Sequence, residues 1–88
     1  MKIFSDKFVS LVKNVIENQI ENSNFVSISI VSGHVRRLLP NIGDDGEAWS
    51  MFPLHPTIYW IICYGPLSDC YQMSEGSHLC NMIIQRKK

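Results

Sequence analysis

The chain has 88 residues, 45% hydrophobic and 18% charged, and its basic and acidic residues balance to a net charge of zero. This length suffices for one small domain, residues 1–88, and the apolar content is too high for a disordered chain. Zero net charge counts against strong non-specific nucleic-acid binding, whereas scarce surface charge favours self-association or a partner protein.

The first predicted element is an amphipathic helix over residues 5–21. Ser5 is suited to cap its N-terminus, and Asp6 is favourable in its first turn. The asparagine- and serine-rich run 21–24 ends the helix, because these side chains compete with helical hydrogen bonding. One face follows the three-and-four spacing of a helix and comprises Phe8, Val12, Val15, Ile16, Gln19 and Ile20.

The hydrophobic residues of the next segment, FVSISIVSGHVRRLLP, fit both the two-residue period of a strand and the spacing of a helix. Its first residues alternate like a strand, whereas the large residues from Ile28 onward are spaced like a helix face. The helical period explains more residues, so we predict a short strand over 25–27 and a helix over 28–39, capped by Ser27 and stopped by Pro40. The alternative is a strand that extends to residue 31 and a helix that begins at Ser32.

Residues 41–46 are predicted as a loop and residues 47–52 as a short helical turn. The run TIYWIICYG that follows Pro56 is rich in β-branched and aromatic residues, which favours a buried strand. A third helix stays open, because a short apolar run has no decisive period. The chain ends in a predicted hairpin, in which residues 69–73 and 79–85 flank a loop at 74–78 that contains Gly76.

The predicted fold is therefore α+β, with two N-terminal helices and a C-terminal β-sheet or hairpin. Through FVSISIVSGHVRRLLP and the terminal hairpin, the chain resembles winged helix-turn-helix domains in outline. That resemblance implies three helices and a hairpin wing, and it is compatible with nucleic-acid binding or with protein interaction.

The first functional hypothesis depends on the aromatic residues of TIYWIICYG. As a strand, it would turn Ile58, Trp60 and Ile62 to one side and leave other large residues on the opposite side. A domain of this size can hardly cover both faces, and tyrosine and tryptophan are typical interface anchors. We therefore predict a self-associating or partner-binding module. Its predicted interface residues are Tyr59, Ile61, Tyr64 and Tyr71.

Basic residues carry the alternative hypothesis, a nucleic-acid-binding regulator. Such a protein would place the helix over 28–39 in or beside the groove, with guanidinium and ammonium groups on phosphates. It requires all these cations on one face, and a solvated helix face is the simpler interpretation of the arginine pair. The cations concerned are Arg36, Arg37, Arg86, Lys87 and Lys88.

The cysteine and histidine residues suggest two further functions, metal binding and thiol catalysis. Cys63, Cys70, His78 and Cys80 have ligand chemistry suited to zinc, but their spacing lacks a CxxC pair. The favoured interpretation is that the cysteines are small core residues. No metal, cofactor or catalytic residue is therefore predicted, and a cysteine–histidine enzyme is a distant third function.

The sequence also predicts a cytoplasmic protein without a membrane partner. It has an odd number of cysteines, no secretion signal and no apolar run of about 20 residues.

Overall fold

The structure is a computed structural model that describes residues 4–21, 23–42, 53–76 and 82–88. Within them, three α-helices accompany a three-stranded antiparallel sheet whose last two strands close the chain, which confirms the predicted α+β class. The predicted helical turn over 47–52 lies outside the described residues. The elements are α1 (Asp6–Gln19), β1 (Phe25–Ser27), α2 (Ile28–Leu38), a 3₁₀ helix (Leu39–Ile42), α3 (Leu54–Cys63), β2 (Tyr71–Glu75) and β3 (Met82–Arg86).

Helix α1 forms as its sequence predicts. The N–H of Phe8 donates to Ser5 Oγ at 3.1 Å, which satisfies one of the first-turn donors that have no partner within a helix. Its apolar face packs into the core through Phe8, Val12, Val15 and Ile16.

The segment after α1 changes from strand to helix at Ser27. Its backbone is extended (φ −73°, ψ 144°), a conformation that suits both the end of β1 and an N-cap. Its Oγ accepts from the N–H of Ile30 at 3.2 Å, so α2 begins at Ile28. The predicted strand over 25–27 and the predicted helix that follows it are both confirmed, with the last residues of that helix tightening into the 3₁₀ turn.

The sheet has the strand order β1-β3-β2. The terminal hairpin is confirmed, and its partner strands pair from Tyr71 opposite Arg86 to Glu75 opposite Met82. Strand β1 adds to the other edge of β3, with Val26 opposite Ile84. Both of these residues are buried, so this side of the sheet closes the core beneath the helices.

Residues 54–63 form helix α3, so the predicted strand over TIYWIICYG is wrong. A helix places Leu54, Ile58, Ile61 and Ile62 on one face at i, i+4, i+7 and i+8, and all four are buried. A helix also pairs its backbone groups internally, whereas a strand would need a further partner strand. Burial of four aliphatic side chains therefore outweighs the local strand preference.

Helix α3 ends in a tight turn. The N–H of Tyr64 donates to the carbonyl of Trp60 at 2.9 Å, and the N–H of Leu67 donates to the carbonyl of Ile61 at 3.1 Å. In the described part of the chain, no helix is both long and apolar enough to cross a membrane.

A polar cluster joins the hairpin to α1. The hydroxyl of the buried Tyr71 donates to Glu17 Oε2, and Arg86 donates to the same carboxylate through Nη2, at 2.5 Å to Oε1, and through Nε, at 3.4 Å to Oε2. The hydrogen bonds from Arg86 and Tyr71 lower the pKa of Glu17. Burial, followed by the hydrogen bond to Glu17, raises the pKa of Tyr71. The cluster therefore holds a carboxylate and a neutral phenol together across three elements.

The N-cap at Ser27 is testable by truncation. Ser27→Ala removes the acceptor for the Ile30 N–H and should lower the free energy of unfolding by about 1 kcal/mol. Ser29→Ala is the matched control, because Ser29 is exposed inside α2 and alanine is the better helix former. Urea unfolding followed by circular dichroism measures both. Equal stability of the two variants would contradict the cap.

Substitution of two glycines by alanine should change the free energy of unfolding in opposite directions. A Cβ at Gly33, inside α2, would meet no heavy atom within 4 Å, so Gly33→Ala should raise the free energy of unfolding by about 0.5–1 kcal/mol. A Cβ at Gly65 would lie 3.0 Å from Ile61 Cα and 3.1 Å from Ile61 O. Because backbone atoms must then shift, Gly65→Ala should cost about 1–3 kcal/mol. Thermal unfolding of both variants measures these changes in stability. If both variants were more stable than the parent protein, the close packing described at Gly65 would be wrong.

The Glu17–Tyr71 bond predicts how stability depends on pH. The folded pKa of Glu17 is below its ordinary 4.5, so its contribution exists above that pH and is lost as pH falls through the folded value. The folded pKa of Tyr71 is above its ordinary 10.0, so its contribution exists below pH 10 and is lost as pH rises further. Tyr71→Phe should cost about 1–2 kcal/mol near pH 7 and flatten the alkaline loss.

Urea unfolding between pH 3 and pH 11 measures this profile. Tyr64→Phe is the control, because it removes a phenol from an exposed position and should keep the profile of the parent protein. An alkaline loss of the same size in Tyr71→Phe would show that the buried phenol does not cause it.

Candidate functional site

The outer side of α3 is an exposed aromatic surface made of Tyr59, Trp60 and Tyr64. Because the aliphatic residues of this helix occupy the core side, these three rings lie on the opposite side. Their exposed fractions are 36%, 53% and 68%, respectively. Large aromatic groups that stay in water next to one another are typical of a surface that meets another molecule.

The ring of Tyr64 contacts the rings of both Trp60 and Tyr59. The ring centroids of Trp60 and Tyr64 are 4.9 Å apart at 50°, and those of Tyr59 and Tyr64 are 6.4 Å apart at 60°. Both separations lie in the range in which aromatic pairs attract each other. Mutual contact restricts the rings before any partner arrives, which lowers the entropy cost of binding.

The aromatic surface carries no charge near neutral pH. The hydrogen bond with Cys63 is the largest cause that raises the pKa of Tyr59, and negative charge at Cys63 or Tyr64 would repel a phenolate further. The α3 sequence LHPTIYWIIC contains no lysine, arginine, aspartate or glutamate. The surface can therefore supply apolar contact and phenol hydrogen bonds.

An apolar hollow lies beside the aromatic surface. It has a volume of about 320 Å³ and is lined by Phe4, Pro56, Thr57 and Trp60. Trp60 belongs to both features, so a projecting ring group and a concave apolar site adjoin on one side of the molecule.

The predicted interface residues divide between surface and core. Tyr59 and Tyr64 are exposed, whereas Ile61 is 0% and Tyr71 is 1% exposed, so these last two are not available to a partner. The predicted strand that carried Ile61 is a helix, which turns Ile61 inward, whereas Tyr71 is enclosed at the start of the hairpin strand β2. Trp60, which the predicted strand grouped with Ile58 and Ile62 on the side away from the interface, is instead among the most exposed large residues described. Helical spacing of the four aliphatic residues is the signal that would have found it.

The predicted phosphate-binding residues lie on separate elements. Arg36 and Arg37 are exposed in the last turn of α2, where positive charge is favourable to the helix dipole. Arg86, Lys87 and Lys88 lie at the end of β3, and they line one polar hollow that does not include the α2 arginines. Arg86 is also paired with Glu17, which offsets its charge.

The cysteine–histidine group is only partly described. Cys63 and Cys70 are half-buried free thiols, and His78 and Cys80 lie outside the described residues. Among the residues that the structure does describe, no three of His, Cys, Asp and Glu converge as metal ligands would.

Comparison with known protein families, with curated proteins and with solved structures found no match. The winged-helix resemblance and the interaction surface therefore stay predictions that depend on this chain's own residues.

Proposed function

We propose that this chain is a non-catalytic protein-interaction module that self-associates through the aromatic surface of α3. The observation that carries the proposal is the contiguous exposure of Tyr59, Trp60 and Tyr64 on a helix whose other side is fully buried. Tyrosine and tryptophan are the residues most often found as energetic anchors of protein interfaces.

A second copy of the chain is the partner that this surface fits best. Two-fold symmetry sets the same patch of both copies against itself, so a self-complementary patch needs a projection and a recess side by side. Here the projection is Tyr64, and the recess is the apolar hollow that Pro56 and Trp60 help to line. A ring of one copy can therefore enter the hollow of the other while the reverse contact forms.

The available area predicts a weak, concentration-dependent dimer. A fully covered aromatic side chain buries roughly 150–250 Å². With exposed fractions of 36–68%, the three rings offer on the order of 300 Å² per copy. Stable interfaces bury about 800 Å² per partner, so additional rim contacts or high concentration are needed.

The alternative, a nucleic-acid-binding regulator of winged-helix outline, has less support. It was predicted with α2 in or beside the groove and all its cations on one face, yet the hollow lined by Arg86, Lys87 and Lys88 does not include the α2 arginines. The winged-helix resemblance also implies a third helix, and a third helix that enters a DNA groove would need cationic or amide side chains for phosphates and base edges. Helix α3 presents tyrosine and tryptophan there and contains neither lysine nor arginine. Its outer side is therefore chemically better matched to a protein than to a duplex.

Sedimentation equilibrium across a range of protein concentrations tests self-association. The apparent mass should rise from 10.1 kDa toward twice that value as concentration increases. Trp60→Ala and Tyr64→Ala should each raise the dissociation constant by about 30-fold or more, as expected for a hot-spot residue. A reducing agent excludes disulfide cross-links through Cys63.

Phe25→Ala is the matched control. The exposed fraction of Phe25, 50%, is similar to the 53% of Trp60, but Phe25 lies on β1 and not on α3. It should leave the dissociation constant unchanged. A parent protein that stays at its monomer mass at millimolar concentration would reject self-association. An equal loss in the Phe25 control would instead place the contact elsewhere.

A further inference from the structure

The side of the sheet opposite the one that closes the core is partly exposed: Phe25 and Gln72 are exposed, and the other residues on it are half-buried. Because side chains alternate along a strand, the residues between the buried positions of each strand share this open face. Phe25 pairs with Gln85, and Gln85 pairs with Gln72, so an aromatic ring and two amides form one row across the three strands. The full open face comprises Phe25, Ser27, Gln72, Ser74, Ile83 and Gln85 and contains no carboxylate.

Positive charge continues this row at the end of β3. The N–H of Lys87 donates to the carbonyl of Cys70 at 2.8 Å, so the pairing of β3 with the β2 segment extends one residue past the strand. Alternation then places Lys87 on the side of Gln85, whereas Arg86 lies on the opposite side, where it reaches Glu17. Lys87 therefore adds charge to the open face itself, while Arg86 and Lys88 contribute charge to the hollow at this end of the sheet.

A polar hollow of about 400 Å³ lies at this end of the sheet. All six of its lining side chains carry N–H donors and none is a carboxylate. Ser74 Oγ donates to Gln85 Oε1 at 3.1 Å, which turns the Nε2 donors of that amide away from Ser74. The lining residues are Asn24, Gln72, Gln85, Arg86, Lys87 and Lys88.

We propose that the open sheet face binds single-stranded nucleic acid. An unstacked base stacks on the ring of Phe25, the amides of Gln72 and Gln85 contact base edges, and Lys87 and Lys88 contact phosphates. Sheet-borne aromatic rings beside cations bind single strands in this way, and stacking tolerates any base sequence. A duplex keeps its bases stacked inside, so the Phe25 ring would have no base to meet.

Zero net charge of the whole chain does not oppose this proposal, because binding depends on the local surface. The open face and the hollow lining contain cations and amides without a carboxylate, which complements a polyanion. The proposal also stands independently of self-association, since the aromatic surface lies on α3 and this face lies on the sheet.

Fluorescence anisotropy with a labelled 12-nucleotide mixed-sequence single strand tests the proposal. Phe25→Leu keeps an apolar side chain but removes the aromatic ring, and should weaken binding about 5- to 150-fold. Phe25→Tyr should restore it. Lys87→Gln together with Lys88→Gln should make the slope of log K against log salt shallower by about 1.4, because each phosphate contact to a single strand contributes about 0.7.

Two matched controls separate this face from the rest of the surface. Arg36→Gln together with Arg37→Gln removes the same charge from α2, and Tyr64→Leu removes an exposed ring from α3; both should leave affinity unchanged. Circular dichroism verifies that each variant is folded, and the lysine variants keep the test decisive if Phe25→Leu unfolds. The proposal is overturned by absence of binding at 50 mM salt, by equal affinity for a duplex, by full competition from inorganic phosphate, or by equal losses in the controls.

Discussion

The buried side of α3 is the interaction on which the rest of the fold depends. Leu54, Ile58, Ile61 and Ile62 pack this helix against α2 on one side and β2 on the other, and so connect the helical layer to the hairpin. Burial of each such side chain contributes roughly 1.5–3 kcal/mol, whereas a whole domain is stable by only about 5–15 kcal/mol. A domain of this length cannot lose that face and stay folded.

The burial of these four residues also determines which side chains of α3 are exposed to solvent. Once the four aliphatic residues occupy the core, the helical period leaves Tyr59, Trp60 and Tyr64 in water. Their contact with one another restricts the rings but cannot cover them, because no further layer of the described structure packs on that side. The candidate interface is thus a direct consequence of how a small chain fills its core.

Sequence patterns predicted those elements whose ends are chemically marked. Ser5 and Ser27 cap α1 and α2, and the hairpin strands flank a glycine-containing loop, so local chemistry and hydrophobic period agree there. Residues 54–63 were mispredicted because β-branched and aromatic residues favour strand locally, while the helix is selected by partners on distant elements. Pro56 lies in the first turn of α3, where its missing N–H costs no helical hydrogen bond. The Tyr71–Glu17 bond spans 54 positions and leaves no local signal.

The two proposed surfaces have consequences for each other. A dimer joined through α3 would leave both sheet faces open, because β1, β3 and β2 do not contribute to the aromatic surface. Two weak single-strand sites on one particle bind a sufficiently long strand more tightly than either does alone, since the second contact becomes intramolecular. With only two lysines at the end of each sheet, such coupling is the physical route by which a chain of zero net charge would hold a polyanion at physiological salt. Self-association would then set the affinity for long strands while leaving the affinity for short ones unchanged.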